Sequence, residues 1–203
     1  MSGITLHRTL DDLRDLLHDL NSPQVETLRA AVEKLRSCGD EGAELARVLD
    51  QKKTRLVFSE LTAGATTLNV LNAILIEKSF DHATGDNFNV LVTLLAHEAR
   101  HAEQRYFVDS IQQELHSYQT QVRVTEQLGL QPYAPMAELL KLGDSAMDLA
   151  KARGAIVNLF PGSPAQILYA ALATQQPMGL IAIPAAIRQI RALTRAAAKV
   201  QAQ

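Results

Sequence analysis

The chain has 203 residues and a formal net charge of −2, with 47% hydrophobic and 21% charged residues. That length can bury a core of its own, and the near-neutral balance gives no general pull toward nucleic acid or an anionic membrane surface. A single cysteine, Cys38, excludes an intrachain disulfide and a cysteine-based zinc cluster; it reads as a small residue at a helix end.

Residues 1–12 turn charged at once and contain no apolar stretch, so a secretory signal is not expected. The longest apolar run, 178–187, contains Pro184 and is too short to span a bilayer. The expectation is a soluble, cytoplasmic protein without a membrane span.

Helical spacing dominates the first quarter. Leu10, Leu13, Leu16, Leu17 and Leu20 predict an amphipathic helix. Ser22 and Pro23 supply an N-cap and a first-turn proline for a second helix, which carries Val25, Leu28, Val32 and Leu35 on one face and stops near Gly39. A third, short helix covers about 41–51.

The pattern changes at Arg55. Residues 55–59 read as a short strand and 73–78 as a second. A turn-rich loop at 81–87 leads into a long helical stretch through Val90, Leu91, Leu94 and Leu95. Helix resumes over about 110–128 and ends at Gly129. Beyond Pro132 and Pro135, one helix is predicted over 136–153, ending at Gly154. Residues 161–164 form a turn and cap, and one or two helices close the chain. The fold class is therefore α+β, mostly helical. It divides into an N-terminal helical region (1–54), a core (55–130) and a C-terminal helical region (131–203), all within one compact domain.

The chemistry concentrates at His97-Glu98-Ala99-Arg100-His101. Residues four apart on a helix share a face, with Cβ atoms roughly 5–6 Å apart. Two imidazoles so placed can each give one nitrogen to a single Zn²⁺ at about 2.0–2.1 Å. Glu98, between them, is placed to take a proton from water on the open side of the metal. A catalytic zinc needs a third protein ligand. Glu103, Asp109, Glu114, His116 and Glu126 are the downstream candidates. Glu103 would point away from the histidine face, and the position six after His101, which another zincin class fills with histidine, is Phe107. Glu114 is preferred, because it opens a helical segment in which the small Ser117 would let two helices lie close. Tyr118, one turn on, could reach a ligand or a substrate. Glu126 is next in line.

Residues 94–104, followed by 109–114 and 117–121, resemble the minimal gluzincin-type metallopeptidase domains of bacterial and phage origin. The resemblance covers about 55–130. It implies a zincin-like core, in which short strands precede the HExxH helix and a second helix brings the glutamate that completes the site. Only twelve residues separate His101 from Glu114, and the chain must reverse within 102–110 without a glycine.

Other features are weighed beside it. The strand at 73–78 either lines a cleft as an edge that pairs with an extended peptide or simply supports the motif helix. His82 reads as a loop histidine, and His7 and His18 as surface residues. His116, Tyr118 and Tyr106 compete to stabilise an oxyanion. Arg188, Arg191, Arg195 and Lys199 form a basic stripe beside Ile187, Ile190 and Leu193. No aromatic residue interleaves with it, so it reads as a solvated helix face and not as a nucleic-acid surface.

The functional expectation is a zinc-dependent metallopeptidase acting on a peptide or protein substrate. Zn²⁺ would sit on His97, His101 and Glu114, with Glu98 as general base and Tyr118 in a catalytic role. The alternative is a non-catalytic zincin-like module working in a homo-oligomer or larger assembly.

Overall fold

The computed structural model describes residues 22–61, 64–69, 71–104 and 109–175. The leucine-faced segment 10–20, His7, His18, Tyr106, Phe107 and the basic stripe at 188–199 lie outside them.

The described chain is mostly helical with one small mixed sheet. Helices α1 (Ser22–Arg36) and α2 (Gly39–Lys52) come first and pack as a pair. Their tight junction depends on Gly42, where a Cβ would come within 2.3 Å of the Leu35 carbonyl oxygen. Cys38 is buried at that junction, in the N-cap position of α2. Three strands follow: β1 (Arg55–Ser59), β2 (Ala65–Leu68) and β3 (Ala73–Glu77). The sheet order is β1-β3-β2, with β1 parallel and β2 antiparallel to β3.

The structure adds to the sequence reading here in two ways. Strand β2 was not predicted; it is only four residues long, below the length at which alternation is readable. Of the two roles left open for the strand at 73–78, the edge role falls away: among the described strands β3 is central, ends at Glu77 and is almost wholly buried, as its run Ala-Ile-Leu-Ile suits. The edge beside the motif helix belongs to β2.

Helix α3 (Gly85–Gln104) carries the HExxH motif and packs on α1, α2 and β2. Leu91, Val92, Leu95, Ala96, Ala99 and Ala102 sink into a core shared with Leu28, Leu35, Leu45, Leu49, Ile74 and Ile76. The three alanines leave room for close backbone approach. Helix α4 (Ile111–Gln127) runs back along α3. Its opposite side joins a second core of Ile111, Leu115, Tyr118, Leu139, Leu149, Ala152 and Ile156. That core is completed by α5 (Ala134–Ala137), a 3₁₀ turn (Glu138–Lys141), α6 (Ala146–Asn158) and α7 (Pro164–Ala171).

The single helix expected over 136–153 is in fact broken. Leu142 is extended, and Ser145 caps a new helix by accepting the Asp148 amide at 3.1 Å. That helix runs through Gly154 to Asn158. A glycine inside a helix costs about 1 kcal/mol; burial of Ala152 and Ile156 on either side offsets it. Among the described residues, no helix is long and apolar enough to cross a membrane.

Candidate metal centre

The site lies between the two cores, where the inner faces of α3 and α4 meet. His97 and His101 stand one turn apart on α3, and Glu114 faces them from the first turn of α4. All three are buried, at 5–6% exposure. Ser110 caps α4 by accepting the Gln113 amide at 3.2 Å. Fully buried Ser117 lets α4 lie against α3.

The three side chains converge on one point. The two imidazole Nε2 atoms are 3.1 Å apart. Glu114 straddles them, with Oε2 3.5 Å from His97 Nε2 and Oε1 3.4 Å from His101 Nε2. Ligands at about 2.0–2.1 Å from a tetrahedral ion stand about 3.3–3.4 Å from one another. The donors stand at about that spacing, each imidazole facing its own carboxylate oxygen, so the group could hold a metal ion. Two imidazoles and a carboxylate are also an established donor set for zinc. The buried Oε2 of Glu114 has no hydrogen-bond partner among the described residues, which fits a ligand atom aimed at a shared centre.

The electrostatics agree with a tightly coupled cluster. Burial alone would lower the His101 ring, but the Glu114 carboxylate beside it outweighs burial and raises it well above the ordinary histidine value. Burial alone would raise Glu114, and the two imidazoles hold it well below the usual carboxylate range instead.

Glu98 points from α3 into a cavity of about 210 Å³. Its wall combines Thr66 and Thr67 of β2, His97, Glu98 and His101 of α3, Asp109, Glu114, and Leu168 and Tyr169 of α7. Thr67 Oγ1 lies 2.8 Å from Glu98 Oε2 and 2.9 Å from the Glu98 carbonyl oxygen.

Tyr118 does not line this cavity. Its ring meets that of His97 edge-on, with centroids 4.5 Å apart, and its hydroxyl lies 3.1 Å from that of Tyr169. Burial, with Glu114 nearby, raises both phenols well above their ordinary value, so both stay protonated at neutral pH.

Other candidate ligands lie elsewhere. Glu103 pairs with Arg100 on the outer side of α3. His116 pairs with Asp144 at 2.9 Å. Glu126 is exposed at the far end of α4, and His82 is exposed in its loop beside Asp81. Asp109 lines the cavity without joining the three converging donors.

A second layer was not anticipated from the sequence. Glu41 of α2 accepts two hydrogen bonds from Arg123 (2.6 and 2.8 Å), one from Arg100 (2.7 Å) and one from Thr120 (2.9 Å). It thereby ties α3 to α4, the two helices that carry the site. Lys52 Nζ donates to the carbonyl oxygens of Ala102 and Glu103 near the end of α3. The segment after α7 anchors the start of α4: Ile111 N donates to Ala173 O at 2.8 Å and Gln112 N to Thr174 O at 3.1 Å. Arg153 holds the same segment through Ala170 O, Leu172 O and Thr174 Oγ1. A signal existed only for the arginine–glutamate network, as charges on faces of otherwise buried helices, and it named no partner.

Comparison of the chain with protein-family models, with curated proteins and with solved structures found no match.

Proposed function

We propose that this protein is a zinc-dependent hydrolase of peptide bonds, with His97, His101 and Glu114 as the metal ligands and Glu98 as the general base. The observation that carries the reading is the convergence of two buried imidazole nitrogens and a buried carboxylate, with contacts of 3.1–3.5 Å, one residue away from a carboxylate that lines a cavity. The resemblance of residues 94–104, 109–114 and 117–121 to minimal gluzincins supports the same reading.

A zinc ion held there would supply Lewis acidity, polarising a carbonyl and lowering the pKa of water toward about 7. The rest is the work of side chains. Glu98 takes a proton from the attacking water as its oxygen bonds to the carbonyl carbon. It returns that proton to the amine nitrogen as the C–N bond breaks. Tyr169, a protonated phenol on the opposite wall, donates a hydrogen bond to the carbonyl oxygen as negative charge grows there. Tyr118 holds both the Tyr169 hydroxyl and the His97 ring in place. Leu61, Ala65 and Leu168 give the cavity its apolar surface, which suits an uncharged side chain of the substrate.

The test separates metal from chemistry. Protein purified without chelator should hold about one zinc per chain. Glu98→Gln should keep that zinc and lose turnover of an internally quenched peptide selected from a mixed library. Wild-type protein that takes up no zinc at neutral pH, or a Glu98→Gln variant that cleaves at the wild-type rate, would end this reading.

A further inference from the structure

We infer that Thr67, on the edge strand β2, is the positioning residue for Glu98, and that the strand lining the cavity thereby sets the aim of the base; this rests on the hydrolase reading above. The single hydroxyl of Thr67 sits between two oxygens of one residue, the carboxylate Oε2 at 2.8 Å and the main-chain carbonyl at 2.9 Å. The carbonyl belongs to the rigid backbone of α3, so it locates the hydroxyl relative to the helix. The hydroxyl in turn locates the carboxylate. A glutamate side chain has three rotatable bonds and loses considerable rotamer freedom when fixed. A clamp spanning its two ends selects one arrangement and leaves the other carboxylate oxygen to the cavity.

The surroundings set this contact apart from ordinary strand–helix packing. Successive residues of a strand face opposite sides, and in β2 Thr66 is exposed while Ala65 and Thr67 are half-buried toward α3. At Ala65 a methyl group suffices for packing. Valine has the shape of threonine without its hydroxyl and would fill the Thr67 position equally well, so packing alone does not call for the hydroxyl. Its two contacts both go to Glu98. The placement also matters for catalysis. General bases need their proton partner within about 2.6–3.2 Å, and small misplacements of a reacting group cost rate steeply. Among the described residues, strand β2 is hydrogen-bonded to β3 on one side only, and its residues 65–67 form part of the cavity wall. Substrate lying along that wall and the base that activates the attacking water are thus referenced to the same four-residue strand.

The test compares full-length, zinc-loaded wild type with Thr67→Val, Thr67→Ala and Thr67→Ser. Two probes are used: the internally quenched peptide and acetohydroxamate, whose acidic proton a correctly aimed Glu98 accepts when it binds zinc. Thr67→Val and Thr67→Ala should each lower kcat about tenfold with KM within about twofold, and should weaken acetohydroxamate by a similar factor. Zinc affinity should not change. Thr67→Ser keeps the hydroxyl and should recover kcat to within about threefold. A purely structural role would lower stability and zinc affinity in the variants without the split between kcat and KM, and serine would not rescue it. Two hydroxyl-free variants guard against one failing to fold. If both match wild type in kcat and acetohydroxamate binding, or if both change KM alone, the inference is overturned while the hydrolase reading stands. If wild-type protein holds zinc but neither binds acetohydroxamate nor cleaves peptide, the hydrolase reading fails and this inference with it.

Discussion

The hydroxyls of Tyr118 and Tyr169, 51 positions apart in the chain, meet at 3.1 Å and join α4 to α7. Of the two, only Tyr169 lines the cavity. If the Tyr118 hydroxyl donates to Tyr169, the remaining proton of Tyr169 is free to face substrate. Tyr169→Phe should therefore lower kcat about 10²-fold, in the range for loss of one preorganised oxyanion donor. It should leave zinc affinity unchanged. Tyr118→Phe should cost less, about tenfold, since it loosens the donor without removing it. Steady-state kinetics with parallel zinc titrations check both.

Glu114 and Glu126 make a paired test of the metal site. Glu114 is buried against both histidines, whereas Glu126 is exposed on the same helix. Glu114→Gln should weaken zinc binding at least about 100-fold, because a neutral amide replaces a charged ligand. Glu126→Gln should leave it unchanged. In thermal unfolding, zinc at 100 times its Kd should stabilise wild type by about 2.7 kcal/mol, and should do the same for Glu126→Gln. The Glu114 variant at that zinc concentration should show almost none of this gain.

Acid should release the clamp at Glu41 late, only as pH falls toward about 2. Burial favours the neutral form of this carboxyl, but hydrogen bonds from Arg123 and Thr120 and the charges of Arg123 and Arg100 bring it down to about 2, from 4.5. A carboxyl depressed in the folded state contributes stability that is fully present above its unfolded value and is lost as pH falls through the folded one. The window is therefore about pH 4.5 down to 2. The network is partly solvated, so the contribution is discounted to about 1–2 kcal/mol. Glu41→Gln should remove that amount at pH 7 and flatten the stability profile across the window, as read by urea unfolding of the zinc-free protein.

The site was legible where one helix turn decides the geometry. The spacing of His97 and His101 is a local fact, and Glu114 follows once the helix after Ser110 is recognised by its cap. Strand β2 was not legible, because Ala65–Leu68 has two threonines and no room for alternation, and only its pairing with Ile74 and Leu75 makes it a strand. Without β2 the role of β3, edge or support, stayed open, and Thr67 had no partner to reveal it. The helix over 136–153 was drawn too long because the leucines on both sides of Gly143 keep a helical rhythm; the break is a matter of Ser145 capping and of the second core. Tyr169 could not be found at all, since nothing local in the segment 164–171 points fifty positions back.

The anchoring of Ile111 and Gln112 to Ala173 and Thr174 has a consequence in time. A ribosome delivers His97, His101 and Glu114 about 60 residues before it delivers Ala173 and Thr174, whose carbonyls bind the first turn of α4. At about 5–20 residues per second, that interval is roughly 3–12 s. During it the three side chains exist on a nascent chain that lacks the Leu168 and Tyr169 wall of the cavity. If they hold a metal as proposed, it can enter from that open side before α7 is made, whereas a finished chain must admit it through the completed wall.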